Sequence, residues 1–272
     1  MVSSLRKPFR YSLTFFAWWA SFVSAEELPR PVVISALPGP YTVDDWKRDW
    51  PGCEFQDGVA EGHVSVRKEG EIPWLRVSFT PGQIGPEKGG AGWRFPINQH
   101  ESMEFRYQMR FSDPFEFVKG GKLPGLSGGP ENVSGGHPAT GENGFSARLM
   151  WRRDGRGEAY VYHVDQPEEY GESFPFPEDF RFPVGRTFQV RLALSMNDPA
   201  KRDGTLAVWI TLPGQSPRQV VDRRDLRWRT TDGFGVDSLY LQAFHGGGDK
   251  TWAPKRECWA EFSGLAWSGK KG

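Results

Sequence analysis

Four short segments carry side chains that could act on an anionic substrate. The first is Lys119-Gly-Gly-Lys122-Leu-Pro-Gly-Leu-Ser-Gly-Gly129, where glycine lets backbone approach a ligand and Lys119 and Lys122 add positive charge. It lacks the Gly-Lys-Ser/Thr ending of a phosphate-binding P-loop. The second is Gly144-Phe-Ser146-Ala-Arg148-Leu-Met-Trp151, in which Ser146 and Arg148 stand two residues apart and so share one face of an extended strand. The third is Tyr160-Val-Tyr162, another same-face pair. A tyrosine carries protons in catalysis when nearby cations bring its pKa down from about 10. Lys122 and Arg148 can do that if their strands are neighbours. The fourth segment, Phe244-His245-Gly-Gly-Gly-Asp249-Lys-Thr-Trp-Ala-Pro254, reads as a loop shaped around a ligand edge, with His245 and Asp249 as polar candidates. Each has a plainer reading: a flexible turn, a half-buried tyrosine with its hydroxyl in water, a turn with an exposed histidine. His137, in Gly135-Gly-His-Pro138, has no partner that the sequence reveals.

The elements that must position these groups are strands. Helix-period segments of useful length are missing, and 33 Gly with 22 Pro among 272 residues oppose long helices. Period-two alternation recurs instead, broken by Gly, Pro, Asp and Asn. It predicts strands over Val64–Arg67, Trp74–Phe79, Met103–Phe111, Phe145–Arg152, Ala159–Val164, Phe188–Met196, Thr205–Leu212, Ser238–Phe244 and Cys258–Trp267. Many strands without a long helix indicate an all-β antiparallel sandwich or jelly roll in one domain. The Gly/Pro-rich stretch 113–143 and the acidic, Pro-rich stretch 165–184 read as long loops. Alternation also sorts faces. Phe145, Ala147, Leu149 and Trp151 face inward, leaving Ser146, Arg148, Met150 and Arg152 opposite. Gln108 and Arg110 lie on the polar face of 103–111, and Arg191 on that of 188–196. Arg and Tyr dominate these polar faces, and both suit planar or anionic ligands.

Composition limits the partners. The 12 Trp, 7 Tyr and 20 Phe supply enough apolar area to argue against disorder. With 34 basic and 34 acidic residues, nothing favours nucleic acid or a membrane surface as partner. Residues 1–25 read as a secretory signal: Arg6, Lys7 and Arg10, then an apolar run to Val23, then Val23-Ser24-Ala25 as a cleavage pattern. Its loss leaves residues 26–272, mildly acidic, as a secreted domain in the extracellular space or periplasm. Cys53 and Cys258 lie near opposite ends of that domain, and a bridge between them or a pair of free thiols fits equally. His-Glu-x-x-His, Gly-x-Ser-x-Gly and dinucleotide-binding glycine patterns are missing, as is a strand carrying paired carboxylates for glycoside hydrolysis.

Taken in order and spacing, Phe117-Val-Lys-Gly-Gly-Lys-Leu-Pro-Gly-Leu126, Gly144 to Trp151, Ala159-Tyr-Val-Tyr162 and the 244–254 segment resemble polysaccharide lyase family 14, over about 103–267. His137 and His245 have no match in that pattern. The resemblance implies a concanavalin-like jelly roll whose concave cleft binds an acidic polysaccharide, of alginate or glucuronan type. It also implies that Lys122, Ser146, Arg148, Tyr160 and Tyr162 do the chemistry.

The residues agree with β-elimination. The C5 proton of a uronate is weakly acidic because the adjacent carboxylate is already negative, so cations on that carboxylate favour its removal. Arg148 and Lys122 are suited to this, Ser146 to orienting the sugar, and Tyr160 or Tyr162 to acting as base and acid. Lys119, Gln108, Arg110, Arg191, Tyr240, His245 and Asp249 are expected to line the cleft. The scheme needs no metal or cofactor, and the enzyme is expected to be a monomer. A lectin-like binding module needs the same Arg/aromatic face without the Lys–Tyr–Arg set, and a glycoside hydrolase on the same fold is a further alternative.

Overall fold

The computed structural model describes residues 28–270; residues 1–25, read as an export signal, lie outside them. Two antiparallel sheets pack face to face. The nine-stranded sheet contains β1 (Arg30–Pro31), β2 (Gly39–Pro40), β3 (Val64–Glu69), β4 (Ile72–Phe79), β6 (Ser102–Phe111), β11 (Phe188–Ser195), β12 (Gly204–Thr211), β13 (Arg218–Leu226) and β15 (Cys258–Lys270). Its order is β13-β12-β11-β6-β15-β4-β3-β2, with β1 added to β15. The six-stranded sheet contains β5 (Gly90–His100), β7 (Gly120–Gly128), β8 (Phe145–Arg152), β9 (Gly157–Tyr162), β10 (Glu172–Pro175) and β14 (Val236–His245), in the order β10-β9-β8-β7-β14-β5. This is a jelly-roll sandwich. The helix α1 (Val43–Asp49) is held by a capping box between Thr42 and Asp45 and buries Trp46 against the core.

The inward faces follow the alternation. Phe105, Met109 and Phe111 of β6 and Val190 and Leu192 of β11 meet Leu123 and Leu126 of β7, Leu149 and Trp151 of β8 and Val161 of β9, all buried. Each such side chain contributes about 1.5–3 kcal/mol by leaving water. All nine predicted strands form. Two loop expectations need correction. Residues 120–128 are a central strand, not part of a loop, and 165–184 contains β10. Glycine marks close backbone approach in β7. A Cβ on Gly121 would lie 2.1 Å from the Trp151 ring, and one on Gly125 would lie 2.0 Å from the Ala147 carbonyl oxygen. The β7 glycines therefore let β8 and β14 close in on both sides.

The cysteines are free thiols, Cys53 half-buried and Cys258 buried, and burial pushes each up to about 12.

Candidate active site

The outward face of the six-stranded sheet gathers the chemistry-bearing residues through register alone. Tyr160 pairs with Arg148, Arg148 with Gly125, Gly125 with Tyr240, and Tyr240 with Arg94. One row over, Tyr162, Ser146, Ser127 and Ser238 are partners; on the other side, Glu158, Met150, Lys122 and Phe244. Gly125 leaves the middle of the first row empty. Beside it the β7–β8 register shifts between Leu123 and Gly125, and Tyr107 donates its hydroxyl to the Pro124 carbonyl at 3.1 Å from the core side.

Arg148 is the centre of this face. It is only 2 % exposed, yet its partners are neutral: it donates to Gln242 Oε1 at 2.6 Å and to Ser146 Oγ at 3.3 Å. Among the described residues it forms no ion pair, and its Nε has no partner. Its guanidinium lies 4.9 Å from the Tyr240 ring and 5.6 Å from the Tyr162 ring. The Lys122 ammonium sits 3.3 Å over the Tyr160 ring and 2.8 Å from Met150 Sδ. Burial first, then Arg148 and Arg152, hold the Lys122 pKa well below the ordinary lysine value. The Tyr160 hydroxyl is pushed upward, by burial first and by the neighbouring Tyr162 second, so it stays protonated. A buried cation without an anion is costly. Arg148 is such a cation, and with half-buried Lys122 beside it the face describes a site that lacks its negative charge.

Loop residues 129–144 roof one end of this face. Gly136 N–H donates to the Tyr162 hydroxyl at 3.2 Å, Ser134 and Tyr240 hydroxyls meet at 3.2 Å, and Ser146 donates to the Val133 carbonyl at 2.7 Å. Val133 and Ala139 pack on Tyr162. At the other end Arg152 pairs with Glu158 at 2.7 Å and stands 5.8 Å from the Trp252 ring. Lys119 reaches the same ring at 5.7 Å and hydrogen-bonds Thr251, while Asp249 caps the short turn before Trp252.

The structure thus brings Lys122, Ser146, Arg148, Tyr160, Tyr162 and Tyr240 onto one face, with Lys119 and Asp249 at its edge. Four expected cleft residues are elsewhere. Gln108, Arg110 and Arg191 lie on β6 and β11 of the other sheet, on its own outward face. Alternation separates polar from apolar faces but says nothing about which sheet a strand joins. Arg110 is tied to Glu261 at 2.5 Å and to Glu69 at 3.2 Å, and Arg191 stacks on Trp209. His245 points inward, in the opposite phase to Tyr240 and Gln242, and packs among Phe79, Phe115 and Trp151. Gln242, Ser127, Met150 and Glu158 belong to the site face without having been singled out for it. Gln242 is two residues from Tyr240 and so was legible by phase; it also donates to the Tyr240 hydroxyl at 3.1 Å. Ser127 Oγ is buried there without a partner among the described residues.

His245 has a consequence for stability. Its Nε2–H donates to the Glu116 carbonyl at 2.7 Å, Nδ1 has no partner among the described residues, and burial holds its pKa at about 4 against 6.5. The unfolded chain therefore binds the extra proton between those values. The contribution is complete above about pH 6.5 and is lost as pH falls toward 4, about 3 kcal/mol in all. Denaturant titrations at pH 7 and pH 4 should show a drop smaller by about that amount in His245→Phe than in the unaltered protein. Equal drops would show that the histidine is not the group responsible.

Residues 67–265 match the family described as Polysaccharide lyase 14. Among solved structures, the marine PL-14 alginate lyase from Aplysia kurodai is 26% identical, with a TM-score of 0.76 over 88% of this chain and 98% of that one. Alginate lyase Aly36B is 24% identical, with a TM-score of 0.74 over 88% of this chain and 95% of that one. Alginate lyase vAL-1 from Chlorella virus is 17% identical, with a TM-score of 0.66 over 87% of this chain and 100% of that one. No curated protein matches the chain.

Proposed function

The chain belongs to polysaccharide lyase family 14, and from that premise we propose that it cleaves an acidic polyuronate of the alginate type by β-elimination, acting outside the cytoplasm after loss of residues 1–25. The likeness to the Aplysia kurodai alginate lyase supports the substrate class. The observation that carries the chemistry is Arg148: a buried guanidinium with neutral partners, beside Lys122, Tyr160 and Tyr162.

In this reading Arg148, with Gln242, binds the uronate carboxylate and Lys122 adds the second positive charge. The negative charge that develops as C5–H breaks is spread onto that carboxylate, where the fixed cations stabilise it. Tyr162, entering the step as the phenolate after giving its own proton to solvent, takes the C5 proton and passes it to O4 as the C4–O4 bond breaks. A C4=C5 double bond forms in the sugar on the O4 side, and the other fragment leaves with the proton; no water is consumed. Tyr162 is favoured because its oxygen already serves as an acceptor, of Gly136 N–H, and accepting is what the base must do. Tyr160, kept protonated, donates to the sugar. The hydrogen bonds from residues 133–136 fall on the groups that the sugar would bind, so substrate takes the loop's place there.

The assay is incubation with polymannuronate, polyguluronate and polyglucuronate while following absorbance of the unsaturated product. Product from at least one is expected; binding without product from any would overturn the lyase reading. A pH profile tests Lys122. An amine with a depressed pKa loses its charge as pH rises, so kcat/KM should decline on the alkaline side well below the pH at which an ordinary lysine deprotonates. Lys122→Arg, which stays charged, should shift that decline to higher pH. An unmoved alkaline limb would rule Lys122 out as its source.

A further inference from the structure

The Arg and Gln residues that fail to join the groove are not scattered. On the outward face of the nine-stranded sheet, Gln219, Trp209, Arg191 and Arg106 form one cross-strand row over β13, β12, β11 and β6. Thr211, Gln189 and Gln108 form the next row. The Arg191 guanidinium stacks 3.8 Å over the Trp209 ring, which holds its plane in place. Arg106 is exposed and, among the described residues, has no ion pair. Glu104 is the acid facing this group; it meets Arg191 through one nitrogen at 3.4 Å, which leaves the rest of the fork open. Beside Arg106 the β6–β15 register shifts between Ser263 and Ala266, and a Cβ at Gly264 would meet open space. The result is a depression of about 470 Å³ floored by Trp209, Arg191, Arg106 and Gln108.

We propose that this depression is a second, non-catalytic binding site for an anionic uronate chain, on the sheet opposite the active-site face. The inference rests on the polyuronate reading for its choice of ligand. Two guanidinium groups offer forked donors to carboxylates, the glutamine amides match sugar hydroxyls, and the Trp209–Arg191 stack is a preformed platform. Two guanidinium groups on this area are too few cations to track a nucleic-acid duplex, which carries one negative charge per about 1.7 Å. A long polymer held here while another stretch enters the groove gains effective concentration that a short oligomer cannot.

The test separates this site from the catalytic reading. Native electrophoresis through gels containing polymannuronate, with Tyr162→Phe added to prevent cleavage, measures binding alone. Adding Arg106→Gln and Arg191→Gln should weaken retardation by about fivefold, and the effect should shrink with added salt. With Tyr162 intact, the same double substitution should leave kcat/KM on a tetrasaccharide within about twofold and raise KM for polymer severalfold. Arg106→Gln alone, at an exposed position with no ion pair among the described residues, should give part of the effect without threatening the fold. Unchanged retardation, or equal retardation by dextran sulfate, which would mark a non-specific anion patch, overturns the proposal. Should the unaltered enzyme cleave no polyuronate, the lyase reading falls while the gel still decides this site.

Discussion

Tyr162→Phe is expected to lower kcat on a cleavable polyuronate by about 10²–10⁴-fold, the usual worth of a positioned proton carrier, while leaving oligosaccharide binding nearly intact. The substitution removes one oxygen. The ring keeps its contacts with Val133 and Ala139, and its strand keeps its register with Ser146. What is lost is the group that would bridge C5 and O4, together with the acceptor for Gly136 N–H. Tyr160→Phe should cost less than about tenfold, because the ring that the Lys122 ammonium covers remains and only a donor to the sugar disappears. Initial rates of unsaturated product, with calorimetric titration of a tetrasaccharide into the Phe variants, distinguish the outcomes. Full activity in both would exclude tyrosine from the proton transfer; a dead Tyr160→Phe beside an active Tyr162→Phe would exchange their roles.

The site was legible where chemistry depends on local phase. Ser146 with Arg148, and Tyr160 with Tyr162, share a face because they stand two residues apart, and the register of β8 on β9 then places the pairs side by side. The same phase argument reads His245 as inward once Tyr240 is taken as outward, and it exposes Gln242 as a neighbour. Sheet membership was not legible. Gln108, Arg110 and Arg191 sit on polar faces just as Arg148 does, but a sandwich has two outward faces, and the assignment of β6 and β11 to the other sheet depends on non-local pairing. The central strand β7 was hidden for a different reason. Its glycines, which resemble a loop in composition, answer to the close approach of β8 and β14, and that neighbourhood exists only after the sheet has formed. The backbone hydrogen bonds of a strand leave no mark in composition, whereas its side-chain alternation does.

Arg148→Met separates function from stability most sharply. Activity should fall by about 100-fold or more, since a fixed donor to developing charge is removed from a position only 2 % exposed. Stability should not fall in proportion. In the free enzyme Arg148 holds its charge at 2 % exposure with Gln242 and Ser146 as neutral partners and with Nε unpartnered, so its desolvation is not offset by any carboxylate. Replacing a poorly compensated buried charge by an apolar side chain of similar length is often neutral or stabilising. The opposing cost is the Gln242 oxygen left without its donor, about 1–3 kcal/mol. Ser146 loses little, because its hydroxyl already donates to the Val133 carbonyl. Relief of Lys122 adds to the stabilising side: with Arg148 gone, one of the two cations depressing its pKa disappears, and it should titrate at higher pH. The expected result is therefore a melting temperature equal to or above that of the unaltered enzyme, measured by calorimetry on the same preparation that has lost its turnover. A large fall in melting temperature together with lost activity would mean that Arg148 holds the sheet together, and the case for a cation kept ready for a uronate carboxylate would fail with it.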